Sequence, residues 1–398
     1  MKNLLLLLVL LILFGCDNGI VNIPDAKFKA YLIAKAGINT NYDNQIQVSE
    51  ASAFEGTINC SDMNISNLKG IEYFTSLTHL KCYNNKLTSL NISGNSSLNS
   101  LDCSQNKITS LNVSQNTALT RLDCSKNRLS SLIVNGASAL NTINCQYNKL
   151  NSLKISNTIA ITNLDCSHNR ISSINLSGTS ALSYLKCSIN NLNSLNISGN
   201  SSLNSLDCSQ NRLTSLDISK NTALTDLLCW NNSLTSLDVR KNTVLTVLGC
   251  WGNQLTSLNI SKNTALKKLS CVGNQLTRLD VSNNNALTKL VCGGNRLSSL
   301  DVRKKTALIL LDCSQNRLSS IFLSGASALT YLNCGRNSLG FLDVSANRTL
   351  TDLTCGKNQL TSLDVSKNTA LTYLECEGNK FDCDALISKY GLENQDGE

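Results

Sequence analysis

Histidine is nearly absent from this chain: His79 and His168 are the only two in 398 residues. No Ser–His–Asp, Cys–His or paired-carboxylate set can be assembled around either, which argues against a catalytic role. No two cysteines stand close enough for the usual C-x₂₋₄-C zinc spacing. The longest apolar run, Leu4 to Phe14, has eleven residues, too few to cross a bilayer as a helix. Proline occurs once, at Pro24, and aromatics make up 5%. Lysine and arginine total 35 against 27 acidic residues, and the net charge of +8 is modest for a large surface. Such an excess is compatible with a polyanion. Without a nucleic-acid-reading motif, nucleic acid is not an expected partner.

What the chain does have is periodicity. From Cys82 to Cys376 a cysteine recurs every 21 residues, with Cys60 one position out of step before them, and an asparagine follows each ladder cysteine by three, from Asn85 to Asn379. A fixed period of this kind means one supersecondary unit stacked on copies of itself. In Leu77–Ser97 the recurring apolar positions are Leu77, Leu80, Cys82, Leu87, Leu90 and Ile92. Period two around Leu80 and Cys82 predicts a short strand with one buried face. Asn85 should turn the chain and bond backbone groups that a buried turn cannot leave unpaired. The segment Ser89–Asn106 recurs unchanged at Ser194–Asn211, the mark of a block duplication.

Equivalent cysteines on adjacent parallel strands point the same way, a poor arrangement for disulfides. The expectation is therefore a dry column of reduced thiols packed as small apolar groups. Cys383 stands outside the ladder, near Cys376, and is expected to stay unpaired.

The pattern L-x-x-L-x-C-x-x-N-x-L resembles the leucine-rich repeat with cysteine at its third apolar place. Leu360–Asn379, LTSLDVSKNTALTYLECEGN, is close to an idealised unit of internalin-like bacterial surface proteins. The resemblance covers about 60 to 391. It implies a leucine-rich repeat solenoid with a parallel β-sheet on the concave face, extended or 3₁₀ convex segments and small helical caps at both ends. It also implies extracellular adhesion through the strand face; with no catalytic set in the chain, the expectation is a noncatalytic, monomeric module that binds a protein or a glycan. It does not name a ligand. A passive spacer of the envelope is the alternative.

Lys2, the apolar run and Leu13-Phe14-Gly15-Cys16 resemble a lipoprotein export signal, with Cys16 acylated and anchoring the protein to a bacterial envelope membrane. No cell-wall sorting motif or further binding domain is recognisable. The expected division is a signal peptide over 1–15, then an anchor linker and helical cap over 16–59. The repeat array follows over 60–380, regular from 77, and a cap helix and polar tail over 381–398. Pro24-Asp25 should open a helix burying Phe28, Leu32 and Ala36, and Asp382 a helix stopped by Gly391. Glu393–Glu398 is expected to be disordered. The loop Asn39–Glu50 resembles an EF-hand loop, with oxygen donors on Asn39, Asn41, Asp43, Gln45 and Glu50 and two anionic groups among them, so weak calcium binding is the only cofactor expectation.

On each strand the residues flanking the buried Leu and Cys should face solvent. Trp230 and Trp251, the only tryptophans, occupy the same place on consecutive coils, with Leu228, Val247, Lys268, Lys289 and Val291 around them. Tryptophan in an apolar surface patch points to a protein or glycan site, and the plain alternative is a stacked pair covering the sheet. Tyr331, Tyr373, Glu375 and Glu377 form a weaker acidic surface. Lys86, Lys107, Arg128, Lys149 and Arg170 follow the turn asparagines in five successive coils, either a solvated edge or a polyanion-binding one.

Overall fold

The structure, a computed structural model, describes residues 19–155 and 160–394. Cys16 and the export segment lie outside the described residues. The chain divides into two units, residues 1–137 and 138–398, and both are built from the same coil. The fold is a leucine-rich repeat β-solenoid.

In the first unit, α1 (Ala26–Ala34) starts at Asp25, whose Oδ1 accepts from the N–H groups of Lys27 and Phe28. Phe28 and Leu32 are buried as expected. The helix stops before Ala36, which is exposed, and Ile38 fills the core in its place. Asp25 Oδ2 accepts from Ser66 N at 2.7 Å and Ser66 Oγ at 2.8 Å, which ties the cap to the first coil. A second helix that the sequence pattern did not reveal, α2 (Val48–Ala53), follows. The strands Gly56–Asn59, Leu77–Lys81, Ser100–Asp102 and Arg121–Asp123 then pair in parallel, aligning Ile58, Leu80, Leu101 and Leu122. The irregular register at Gly56/Thr57 takes up the odd residue that puts Cys60 out of step.

In the second unit the same three-residue strand recurs from Thr142–Asn144 to Tyr373–Glu375, always parallel and always 21 residues on, for instance Leu227↔Leu248↔Leu269. Convex segments are turns or short strand pairs such as Ser299–Asp301 with Ser320–Phe322. Each coil fills its interior with the same residues: Leu245, Leu248, Cys250, Leu255, Leu258 and Ile260 are all buried. The cysteines from Cys60 to Cys355 are buried and form no disulfide. Burial pushes the Cys250 thiol up to about 12, far from the thiolate that reacts.

Two asparagine ladders hold the coils together. The expected one joins neighbours: Asn253 Nδ2 donates to Cys229 O in the preceding coil (3.1 Å) and Cys250 O in its own (3.0 Å), while its Oδ1 accepts from Leu234 N (3.0 Å). The other, unforeseen, lies on the convex side. Asn221, Asn242, Asn263 and Asn284 are fully buried and donate to paired carbonyls of the coil before, as Asn242 does to Ile218 O and Asn221 O. Lys305 takes this place in one coil. Its side chain stays buried and its Nζ donates to Ser282 O and Asn285 Oδ1 at 2.9 and 2.8 Å.

The residue two after each ladder cysteine is left-handed, with φ of 50–72° from Asn84 to Gly378. Ile189 carries this conformation with φ 55°, poorly suited to a β-branched side chain. Ile189→Gly is accordingly expected to raise the unfolding free energy by about 1 kcal/mol, measurable by urea denaturation.

At the C-terminal end, α3 (Cys383–Tyr390) starts at Asp382, which accepts from Ala385 N, and ends at left-handed Gly391. Cys376 and Cys383 form a disulfide, contrary to the expectation of a free thiol. The start of α3 brings their Cα atoms to 5.7 Å, within bridging range, and on a different element from the ladder so that the side chains can converge. Glu393 is also not loose: its N–H donates to Thr372 O and its carbonyl accepts from Leu374 N, covering the edge of the last strand.

Candidate functional site

The seven candidate residues of the Trp patch all belong to the second unit and sit on consecutive strands or just after them. Pairing aligns Asp226, Val247, Lys268, Lys289 and Leu310 in one row, and Leu228, Gly249, Ser270 and Val291 in the next. Trp230 and Trp251 follow their ladder cysteines, beyond the second row. The lysines are exposed, and Leu228, Trp230, Val247, Trp251 and Val291 are half-buried. The strand ladder therefore brings together what the spacing suggested.

The two indoles stack with ring centroids 4.5 Å apart and planes 5° from parallel. That separation is close to the ~4.8 Å strand spacing, so the backbone ladder itself sets the stack. Each ring covers one face of the other, and edges remain open. Neither indole N–H has an acceptor among the described residues. The ion pairs among the described residues are Arg240–Asp238 and Arg303–Asp301, so Lys268 and Lys289 have no anionic partner there.

Other polar groups of the strand face are committed internally. Asp165 Oδ1 accepts from Ser167 N and Oγ, and Asp312 repeats this with Ser314. Glu375 is pushed above the usual carboxylate range by burial, with Glu377 adding to the rise, while Tyr331 and Tyr373 are half-exposed or nearly so nearby. One aromatic contact escaped the sequence reading: Tyr147 stacks on His168, with ring centroids 3.9 Å apart. The recurrence of both residues two positions after a ladder cysteine would have revealed it. Burial lowers the His168 pKa, as does Lys186, against opposing Asp165 and Asp207. In the first unit His79 Nδ1 lies 2.9 Å from Thr78 Oγ1.

The basic positions after the turn asparagines are all exposed: Lys86, Lys107 and Arg128 in the first unit, Lys149 and Arg170 in the second. Backbone bonds such as Lys107 N to Leu87 O repeat their placement from coil to coil. Arg212, Arg296 and Arg317 occupy the same repeat position and are also exposed, which the sequence reading overlooked.

The EF-hand-like loop closes on itself. Glu50 Oε1 accepts from Thr40 N (2.7 Å), Thr40 Oγ1 (2.9 Å) and Asn41 N (3.2 Å), and Oε2 from Gln47 N (3.0 Å). Asp43 accepts from Gln45 N, Asn41 Nδ2 and Gln47 Nε2. Asn39 Nδ2 donates to Asp43 O, while Asn39 Oδ1 and Gln45 Oε1 are buried without partners. In this structure the Glu50 carboxylate takes its hydrogen bonds from within the loop. Among the described residues no three His, Cys, Asp or Glu side chains gather as a metal site. Burial works to raise the Glu50 pKa, but the bonds from Gln47, Thr40 and Asn41 outweigh it and hold it below its ordinary value. A depressed carboxylate pKa stabilises above the unfolded value and loses that contribution as pH falls through the folded one. Glu50→Gln should cost about 2 kcal/mol at neutral pH, with the difference from wild type shrinking below about pH 4. Thermal melts with calcium and with chelator test the expected weak calcium binding, which would show as a calcium-dependent rise in melting temperature.

The chain is similar to the solved functional domain of InlJ from Listeria monocytogenes, which includes a cysteine ladder. Identity is 34%, the match covers 87% of this chain and 77% of that one, and the TM-score is 0.80. The chain belongs to the internalin-like, cysteine-ladder leucine-rich repeat proteins. A leucine-rich repeat protein of Leptospira interrogans (22% identity, 87% and 97% covered, TM-score 0.76) shares the fold. So does YopM from Yersinia enterocolitica (23%, 81% and 73%, 0.65). No family model and no curated protein matches the sequence. In this internalin-like chain the ladder residues that define the family are interior, so what distinguishes it lies in the variable strand-face positions.

Proposed function

We propose that this internalin-like chain is a noncatalytic binding module of the bacterial envelope, which docks a protein partner on the strand face of its second unit. The observation that carries the reading is the stacked Trp230–Trp251 pair set among Leu228, Val247 and Val291, with Lys268 and Lys289, which have no ion-pair partner among the described residues, beside it. Large, rigid aromatics beside apolar side chains are the composition of interface hot spots. The stacking favours a protein over a glycan. Stacking hides one face of each indole, which halves the face on which a sugar ring could lie, while the N–H donors have no acceptor among the described residues. The basic stripes are a secondary, salt-sensitive contact with an anionic surface.

In this reading Cys16 carries acyl chains that hold the module at the cell envelope and display it outward. The boundaries at 15, 59 and 380 divide export signal, entry cap, array and exit cap. The test is saturable binding of a soluble fragment starting at Ile20 to intact host cells and to a panel of extracellular host proteins. Trp230→Ala with Trp251→Ala should abolish it while leaving the circular dichroism unchanged. A spacer would show no saturable partner in either form.

A further inference from the structure

Two exposed phenylalanines on the convex side of the second unit stand where the repeat puts polar residues. Phe341 takes the place held by serine in the coils on either side, Ser320 and Ser362, and is 72% exposed. Phe322 takes the place of an Asp or Asn and is 43% exposed. Phe322 apart, each residue at that place from Asn175 to Asp364 accepts from the N–H two residues on, as Asp301 does from Arg303 and Asp343 from Ser345. Phe322 cannot make this bond. The same stretch interrupts the convex ladder, with Lys305 and Ala326 in place of asparagine. Departures that give up bonds the rest of the array makes are the mark of a functional surface. Ile321, Phe322, Leu323 and Phe341 line a hollow of about 330 Å³ whose rim carries Arg303 and Asp343. The Arg303 guanidinium lies 5.0 Å from the Phe322 ring centroid and holds Asp301 through Nε and Nη2. Its Nη1 makes no hydrogen bond among the described residues, and Asp343 has no cationic partner there.

We propose that this patch pairs two copies of the chain about a two-fold axis, where the sequence alone suggests a monomer. A two-fold contact requires one surface to carry both members of every contact it makes. This surface does. It has a projecting ring, Phe341, beside a hollow that can receive a side chain, and a guanidinium with a free Nη1 two coils from a carboxylate without a cation. With the axis at the coil of Phe322 and the two solenoids antiparallel, the coil of Arg303 faces the coil of Asp343 in the other copy. Arg303, resting on Asp301, then meets that Asp343, so the charges are complementary. Phe341 of the other copy lies over the small side chains of Ser299 and Ser320, at the mouth of the hollow, and the two Phe322 rings meet at the axis. Two convex surfaces touch over a small area, so the dimer should be weak, with a Kd on the order of 10 µM. Pairing on the convex side leaves the Trp face open, so it neither needs nor excludes the proposed docking there.

The experiment is sedimentation equilibrium on residues 16–398 carrying Cys16→Ser, which leaves no acyl chain to associate copies, at concentrations spanning about 1–300 µM. This chain should pass from monomer to dimer and stop there; larger species would mean a head-to-tail contact and overturn the two-fold pair. Phe341→Ser and Phe322→Asp each install the repeat's own residue and should raise the dimer Kd by about tenfold or more. Phe322→Asp also supplies the missing acceptor for Ser324 N, so its urea midpoint should not fall, which separates lost pairing from lost folding. Mixed together, the two variants should recover part of the association, because Phe341 of one then meets the intact hollow of the other. Trp230→Ala should leave pairing unchanged. A chain that stays monomeric throughout, or a dimer indifferent to both phenylalanine substitutions, overturns the proposal. If the chain is monomeric and Phe341→Ser lowers its binding to host cells, the patch serves the foreign partner and self-pairing falls.

Discussion

Asn253→Ala is expected to lower the unfolding free energy by about 4 kcal/mol, one of the largest single-residue losses this fold allows. The side chain fills a buried turn and satisfies backbone groups of two coils at once, among them the carbonyls of Cys229 and Cys250 and the N–H of Leu234. Alanine leaves them facing each other in a site closed to water, and each unmade bond costs roughly 1–3 kcal/mol. Asn253→Asp should be no rescue, since a carboxylate keeps the acceptor for Leu234 N but turns oxygen toward the two carbonyls. Because each coil contacts only its neighbours, the damage should concentrate in coils flanking 253. Urea denaturation gives the size of the loss, and amide exchange in those coils its location. A loss below 1 kcal/mol would mean that the ladder is held by its apolar core alone.

Trp230→Ala and Trp251→Ala are each expected to weaken partner binding by about 30-fold or more, the mark of a hot spot worth at least ~2 kcal/mol. The double variant should lose less than the sum of the two, because each ring supports the other across the 4.5 Å stack and removing one already disorders its neighbour. Stability should change little, since both rings are half-buried and the ladder beneath them is made by Leu227, Cys229, Leu248 and Cys250. Titration of host cells or purified partner with each variant measures the effect. Phenylalanine at both places is the conservative substitution: it keeps the stack, removes the N–H donors, and should recover only part of the affinity.

The repeat unit was legible because every coil solves the same problem with the same residues. Leu248, Cys250 and Asn253 have no freedom to vary, and their spacing alone gives strand, core and turn. The Trp patch was legible for the same reason: once the register is fixed, Trp230 and Trp251 must be neighbours. What escaped was whatever breaks the period or lies between its obvious marks. The convex ladder Asn221, Asn242, Asn263, Asn284 keeps the 21-residue spacing but sits among many exposed asparagines, so composition hid it. The Cys376–Cys383 bridge depends on where α3 begins, a tertiary fact with no periodic signal. The Asn39–Glu50 loop carries donors at calcium-like spacing, yet which way Glu50 turns is decided by the N–H groups of Thr40, Asn41 and Gln47.

The central claim, that the Trp face is the docking surface, can be read without a label, because the chain's only tryptophans are both in it. Acrylamide quenching of the intrinsic emission should be substantial in the free protein, whose indole edges are open, and should fall sharply as partner saturates. A partner that saturates by an independent measure while quenching stays at the free-protein level would place docking elsewhere and contradict the account.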